Sequence, residues 1–331
     1  MNTCRREFLK GAAGLGMAGA VSACRSLTAD GFDNNLAVFL SDVHICGTAV
    51  EGNPYYFYRY TWNELDRRID EILAMSPKPR NVVIFGDLAF NHGEIEDYQA
   101  AAPKLKRLTD AGIKLTHAMG NHDRRNTFYE VFPECRESSP VPGRIVSIVD
   151  LGSAQLIMLD SLKAKDGEFK EGSGGPVDGR IDGGQREWFE SYLPKVTKPT
   201  FVASHHNLCE LVEDRGWLMK AMRNCPYAIG YIHGHGHDWV KDYSVGWGCE
   251  NQDILRVLQL PSAGLWGCIG SVEFRTGLTS ATAILHQNDY WFNFPLRPGE
   301  KKPETWLDIM EENRGATCRF AYERIQRKWK L

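Results

Sequence analysis

Five short segments of the sequence combine acidic, imidazole and amide side chains, most of them beside glycine: Asp42-Val43-His44, Gly86-Asp87, Gly120-Asn121-His122-Asp123, Ser204-His205-His206-Asn207 and Gly234-His235-Gly236-His237. Any one of them alone reads as a turn or a capping pair. Together they supply the donors that two adjacent divalent cations require. Two such ions repel each other, so a carboxylate must sit between them, while neutral imidazoles and amide oxygens fill each shell without accumulating negative charge. In an extended segment residues i and i+2 point to one side, so Asp42 with His44, and His235 with His237, are each expected to present two ligands to one site. Gly86, Gly120, Gly234 and Gly236 let the backbone turn sharply and approach an ion closely.

The elements that must position these segments are legible as short apolar runs. Runs at 37–40, 82–85, 114–118, 156–159 and 201–203 are continuous rather than alternating, which predicts strands buried on both faces. Helical periodicity lies between the first three, over 62–75 with Leu65, Ile69, Ile72 and Leu73 on one face, and over 98–111 with Leu105 and Leu108. This β-α-β-α-β beginning predicts an α/β fold with the polar segments at the carboxyl edge of a sheet, where ligands bind in open α/β folds. A glycine-rich stretch at 167–184 reads as a long surface loop leading into a helix at 185–192. Further strands at 229–232, 254–260 and 281–285 predict a second sheet, and residues past 303 a basic helical appendage carrying Trp306, Phe320 and Trp329.

Composition narrows the alternatives. The chain has 331 residues, 24% charged and 43% hydrophobic, with a formal net charge of -3. That excludes disorder and coiled coil, and an acidic body with no lysine or arginine run disfavours duplex nucleic acid as a partner. No apolar stretch reaches the roughly 18 residues of a membrane span. Near the N-terminus, Arg5-Arg6-Glu7-Phe8-Leu9-Lys10 precedes an uncharged, glycine-interrupted run that ends in Val21-Ser22-Ala23-Cys24. Basic start, short apolar middle and small-residue end predict an export signal over 1–23. The first part resembles a twin-arginine signal, whose pathway exports folded proteins, and the last a bacterial lipobox, which implies lipidation at Cys24. The expected partner is then the twin-arginine export machinery. The expected location is the periplasm or cell envelope of a bacterium, with membrane contact only through acyl chains. Of the 9 cysteines, Cys4 and Cys24 belong to this leader, and the rest show neither the spacing of a disulfide framework nor a Cys-x-x-Cys zinc motif.

The order Asp-x-His, Gly-Asp, Gly-Asn-His-Asp, later His, Gly-His-x-His resembles that of the calcineurin-like metallophosphoesterases, which include purple acid phosphatases and cyclic-nucleotide phosphodiesterases. The resemblance implies a four-layer α-β-β-α sandwich of two mixed sheets. It divides the chain into leader 1–23, linker 24–35, catalytic domain 36–293 and C-terminal helical extension 294–331. It implies a first metal held by Asp42, His44, Asp87 and His237, and a second held by Asp87, Asn121, His205 and His235, with Asp87 bridging. The cations would be Mn, Fe or Zn, the substrate a small phosphomonoester or phosphodiester, and the nucleophile a metal-bridging hydroxide. His122 resembles the family's phosphate-contacting general acid, with Asp123 fixing its loop. Asn207 stands where the family has proline, and Phe90 where many members have Asp, Asn or Tyr. The Phe90 departure removes the group that would orient His122. Gln185 with Trp188 resembles a helix of the family's exported branch.

Substrate contacts are expected from Asn121, and weighed for His92, Arg124 and His206 against bland roles as loop, salt-bridge or supporting residues. Arg125 is weighed in the same way. Tyr55-Tyr56-Phe57-Tyr58 would make either an aromatic wall for substrate or a packing surface. His117, His233 and His286 are expected to be structural strand residues, and Cys46 a packing residue. Two other classes compete: a metal-dependent amidohydrolase, whose His-x-His comes on the first strand rather than last, and a non-catalytic metal-binding surface lipoprotein.

Overall fold

The apolar runs become strands and the periodic segments helices. The structure is a computed structural model, and it describes residues 31–163, 177–246, 254–292, 296 and 299–322. The leader, Cys24, most of the expected linker and Trp329 lie outside the described residues. The first half contains β1 (Phe32–Leu40), α1 (Tyr60–Ala74), β2 (Lys78–Ile84), α2 (Ile95–Asp110), β3 (Lys114–His117), α3 (Arg125–Val131), α4 (Pro133–Ser138), β4 (Ser147–Asp150) and β5 (Gln155–Met158). The second contains α5 (Gly183–Tyr192), β6 (Thr200–Ala203), α6 (Arg215–Asn224), β7 (Ala228–His233), β8 (Val240–Gly246), β9 (Ile254–Gln259), β10 (Gly267–Thr276), β11 (Ser280–Trp291), α7 (Glu304–Asn313) and β12 (Thr317–Ala321).

Two six-stranded mixed sheets result, ordered β12-β11-β10-β1-β2-β3 and β4-β5-β6-β7-β9-β8. In the first, β1, β2 and β3 run parallel, and the β10 and β11 hairpin adds antiparallel to β1. In the second, β5, β6, β7 and β9 run parallel between antiparallel edges. Phe39, Phe85, Phe201, Ile232, Leu258 and Phe274 fill the space between the sheets. On the outer face of the first sheet, Val38, Leu40 and Ile84 pack against Leu65, Ile69 and Leu105 of α1 and α2. On the second, Ile157, Val202 and Tyr231 pack against Phe189, Leu218 and Met222 of α5 and α6. Alternate residues of one strand thus enter two different cores, which is why these runs are continuous in sequence, and each fully buried side chain contributes roughly 2 kcal/mol. The layers are helix, sheet, sheet, helix.

Two expectations about the C-terminal part are corrected. Among the described residues the segment expected to be a helical extension holds α7, but then β12, which pairs antiparallel with β11 and completes the first sheet. Its Cys318 and Phe320 are buried, and the Phe320 ring lies 5.1 Å from that of Phe201. Alternation over only five residues, with Arg319 between, is too short a signal to separate from a helix. His286 is not buried: β11 turns it outward at 51% side-chain exposure, beside Glu273. His117 and His233 are buried as expected, at 3% and 1% exposure.

Candidate metal centre

The five polar segments follow the carboxyl ends of β1, β2, β3, β6 and β7, so parallel strands from both sheets deliver them to one edge of the sandwich. Their local route differs from the extended one expected. Asp42, His44, Asp87, His235 and His237 all have positive φ, between 48° and 66°, which is uncommon for residues other than glycine. Left-handed turns at five acidic and imidazole residues cost conformational energy that the surrounding structure must offset, a pattern associated with functional sites. Main-chain bonds supply part of that hold: Asp42 N donates to Gly86 O at 3.1 Å, His44 N to Asp87 O at 2.9 Å and Gly234 N to His205 O at 3.0 Å. A Cβ on Gly86 would come within 2.7 Å of Gly120 N and 2.8 Å of His205 Nδ1, so only glycine lets these segments close on one another.

Three groups of donors converge: Asp42, His44 and His237; His44, Asp87 and His122; and Asp87, His205 and His235, the ligand atoms of each group within 4.8 Å of one another. His44 Nε2 and His237 Nε2 are 3.2 Å apart, and His237 Nε2 is 3.3 Å from Asp42 Oδ1. His205 Nε2 is 3.1 Å from Asp87 Oδ2 and 3.2 Å from both His235 Nδ1 and Asn121 Oδ1. His44 Nε2 lies 3.7 Å from the same Asp87 oxygen, which therefore stands between the two imidazole pairs.

Tautomers make the chemistry specific. His44 Nδ1 faces Phe90 O at 3.0 Å, His237 Nδ1 faces Leu265 O at 2.8 Å and His205 Nδ1 faces Phe85 O at 2.8 Å. A carbonyl only accepts, so each of these nitrogens carries its hydrogen, and in the neutral ring each Nε2 presents a lone pair. Lone pairs from two imidazoles thus meet at 3.2 Å, with buried Asp42 Oδ1 and Asp87 Oδ2 beside them and no hydrogen-bond donor on either oxygen. Such clustering of acceptors is stable only around positive charge. Protons can supply some of it. Burial opposes a charge on His205, but Asp87 holds the imidazole up to about 10, while burial drives His44 down to about 3 and His235 to about 4. Burial likewise works against the Asp87 carboxylate, and His205 still holds it well below the usual carboxylate range. Cations seated among the same atoms satisfy all the lone pairs together, so the donor set fits a pair of metal ions.

The remaining expected residues divide clearly. His122 donates its main-chain N–H to Asp87 Oδ1 at 2.8 Å, and its Nδ1 lies 2.9 Å from Asn91 O. Asp123 is buried and accepts from Gly120 N at 2.9 Å, Ala89 N at 3.0 Å and Tyr98 Oη at 3.1 Å, so it ties the loops after β2 and β3 together. Burial, then the nearby Asp87 charge, pushes it up to about 6. Arg125 is buried in a two-pronged pair with Asp160, both contacts at 2.7 Å, and is not among the described residues that border the cavity over the cluster. Arg124 is buried against the carbonyls of Asn121 and Asp123. His92 bonds to Asn91 and does not line the cavity over the cluster. His206 is buried, with Nδ1 2.8 Å from Ser161 Oγ and its ring 5.2 Å from that of His235. Tyr55, Tyr56 and Phe57 are exposed on a short turn, while Tyr58 packs against Phe90 at 4.4 Å.

Two participants have no sequence signal. The Glu210 carboxylate lies 3.6 Å from His235 Nε2 and accepts from Asn207 N at 3.0 Å, bracing the turn where proline was expected. The main-chain carbonyl of Asn91 takes the orienting place that Phe90 cannot fill. Above the cluster opens a cavity of about 420 Å³, bordered by Asp87, Asn121, His122, His235 and His237.

No family model matches the sequence, and no curated protein matches it at a significant level. Among solved structures, a dimetal phosphatase from Danio rerio superposes with a TM-score of 0.54 at 12% identity, over 76% of this chain and 95% of that one. The Thermus thermophilus sulfate thiohydrolase SoxB, in complex with glycerol, gives 0.40 at 12% identity over 73% of this chain and 54% of that one. Likeness at this identity concerns architecture alone. With its paired mixed sheets, flanking helices and superposition on the Danio rerio structure, the chain has the metallophosphoesterase fold.

Proposed function

We propose that this chain is a metal-dependent phosphoesterase that hydrolyses a phosphomonoester or phosphodiester. The observation that carries the reading is the meeting of imidazole lone pairs and donor-free carboxylate oxygens around Asp87 and Asp42. Asp42, His44, Asp87 and His237 would hold one cation, and Asp87, Asn121, His205 and His235 the other. When bound, such a pair supplies Lewis acidity and an acidified water as nucleophile. The chain's own residues do the rest. Asp87 stands between the two imidazole pairs that would hold the cations. His122, held through Nδ1, offers Nε2 to the cavity it lines, where it can contact the phosphoryl group and protonate the departing oxygen. Asp123 keeps the loop carrying Asn121 and His122 against the one carrying Asp87.

Arg5, Arg6 and the segment ending at Cys24 support export of the folded protein to the periplasm or cell envelope, with a lipid anchor at Cys24. Folding before export suits a site whose metals are chosen in the cytoplasm, because affinity order alone would select others outside.

The test is hydrolysis of p-nitrophenyl phosphate and bis-p-nitrophenyl phosphate by purified protein of measured metal content. Activity should vanish on exhaustive chelation and return when a divalent cation is added back. Undiminished hydrolysis after metal removal, or none by metal-replete protein, overturns the reading.

A further inference from the structure

One side of the cavity is made of aromatic rings that the metal chemistry does not use. Trp266 lies nearly parallel to the imidazole of His237, with ring centroids 5.3 Å apart and planes at 21°. Next to it, Tyr290, Trp291 and Phe292 line the cavity from the end of β11. Tyr290 and Trp291 are buried and form a firm base, the Trp291 ring standing edge-on to Tyr60 at 5.2 Å. At the rim the apolar surface is open: Trp266 is 40% exposed and Phe292 67%. The wall is joined to the ligand segment by main chain, since Cys268 N donates to His237 O at 2.9 Å. A side chain on Gly267 would strike that same carbonyl, so the close junction requires glycine there. Exposed large apolar surface concentrated at a cavity that also holds convergent polar groups marks a place for the apolar part of a ligand.

Charge narrows the ligand. Among the described lining residues there is no lysine or arginine, and Asp238 adds an acidic group. Bound cations would neutralise one phosphoryl group, which leaves no basic side chain among the described lining residues to neutralise a second. A substrate with further phosphates or carboxylates on its organic part would place them against aromatic rings and a carboxylate, at a desolvation cost.

Building on the phosphoesterase reading, we infer that the substrate is an ester of a single phosphoryl group. Its organic part carries a planar aromatic ring, which lies against Trp266 and Phe292. Ring stacking of this kind changes affinity by about tenfold.

The experiment is calorimetric titration of the metal-loaded protein with benzylphosphonate and ethylphosphonate, whose P–C bonds are not hydrolysed. Benzylphosphonate should bind about tenfold more tightly, and Phe292→Ala and Trp266→Ala should each reduce that preference severalfold, with Trp266→Phe retaining most of it. Phe292 is not one of the residues proposed to hold a cation, and metal content is measured for every variant, so altered metal binding is separable. Equal affinity for the two phosphonates, no measurable binding of either, or a preference unchanged in both alanine variants overturns the inference. If metal-dependent hydrolysis of the nitrophenyl esters persists in that case, the phosphoesterase reading stands and only the aromatic substrate class falls.

Discussion

The imidazole of His122 is held by main chain, not by a carboxylate: its Nδ1 lies 2.9 Å from the carbonyl oxygen of Asn91. The neighbouring Phe90 carbonyl holds His44 Nδ1 at 3.0 Å, while the Phe90 ring packs on Tyr58. Residues 90 and 91 therefore orient two histidines through backbone atoms. A carbonyl selects the tautomer as a carboxylate does, but stabilises an imidazolium less.

His122→Ala should accordingly keep its metal while losing activity unevenly. Aryl esters of acidic phenols need little protonation and should lose about tenfold. Esters of simple alcohols should lose on the order of 10²-fold or more, the range of general acid catalysis. Parallel rate measurements on both ester types, with elemental analysis, decide the matter; equal losses would remove the acid role.

Asp87→Asn changes one oxygen to an amide nitrogen at the only carboxylate lying close to both imidazole pairs among the described residues. Metal content should fall below that of wild type, and hydrolysis of both nitrophenyl substrates should drop at least about 10³-fold, as expected where metal-derived stabilisation is lost. A variant with full activity would contradict the two-cation arrangement.

Glu210 braces His235 from the side away from His205. Losing such an outer partner commonly costs about 10- to 100-fold in metal affinity. Glu210→Ala should lower metal retention during dialysis by about that factor, and Glu210→Gln should recover part of it through the bond from Asn207 N. Retention identical to wild type in Glu210→Ala would show that the contact is incidental.

Acid sensitivity should trace in part to His117. Burial between Phe128 and Phe132 pushes its imidazole down to about 4 from an ordinary 6.5. Below the ordinary value the unfolded chain takes up a proton that the folded chain refuses. Its contribution to stability is thus complete above pH 6.5 and is lost as pH falls toward 4. At roughly 1.4 kcal/mol per pH unit, this one site accounts for at most about 3.5 kcal/mol. Urea unfolding at pH 7 and pH 4.5 should show a smaller drop for His117→Phe than for wild type; equal drops would assign the sensitivity elsewhere.

For the proposed anchor, Cys24→Ser should move the protein from the membrane to the soluble fraction of cells. Unchanged fractionation would remove lipidation from the proposal. Arg5→Lys combined with Arg6→Lys should separately keep the protein in the cytoplasmic fraction if the arginine pair is the export signal.

Sequence alone determined the alternation of strands and helices and the order of the five polar segments. Both signals are local: an apolar run of four or five residues marks a strand buried on two faces, and Gly-Asn-His-Asp keeps its meaning wherever the chain carries it. Only tertiary structure decided that His44 meets His237 across 193 positions of sequence, and that Asp87 stands between two imidazole pairs. It also decided where Asn91, Glu210, Trp266 and Phe320 lie. A backbone carbonyl has no residue type to read, and a glutamate in a polar loop looks like any solvated charge. Trp266 and Phe292 form one wall because the long β10 and β11 hairpin returns its end to the cavity. Phe320 is core because five alternating residues found an open strand edge to pair with, a fact set by the neighbouring strand and not by the segment itself.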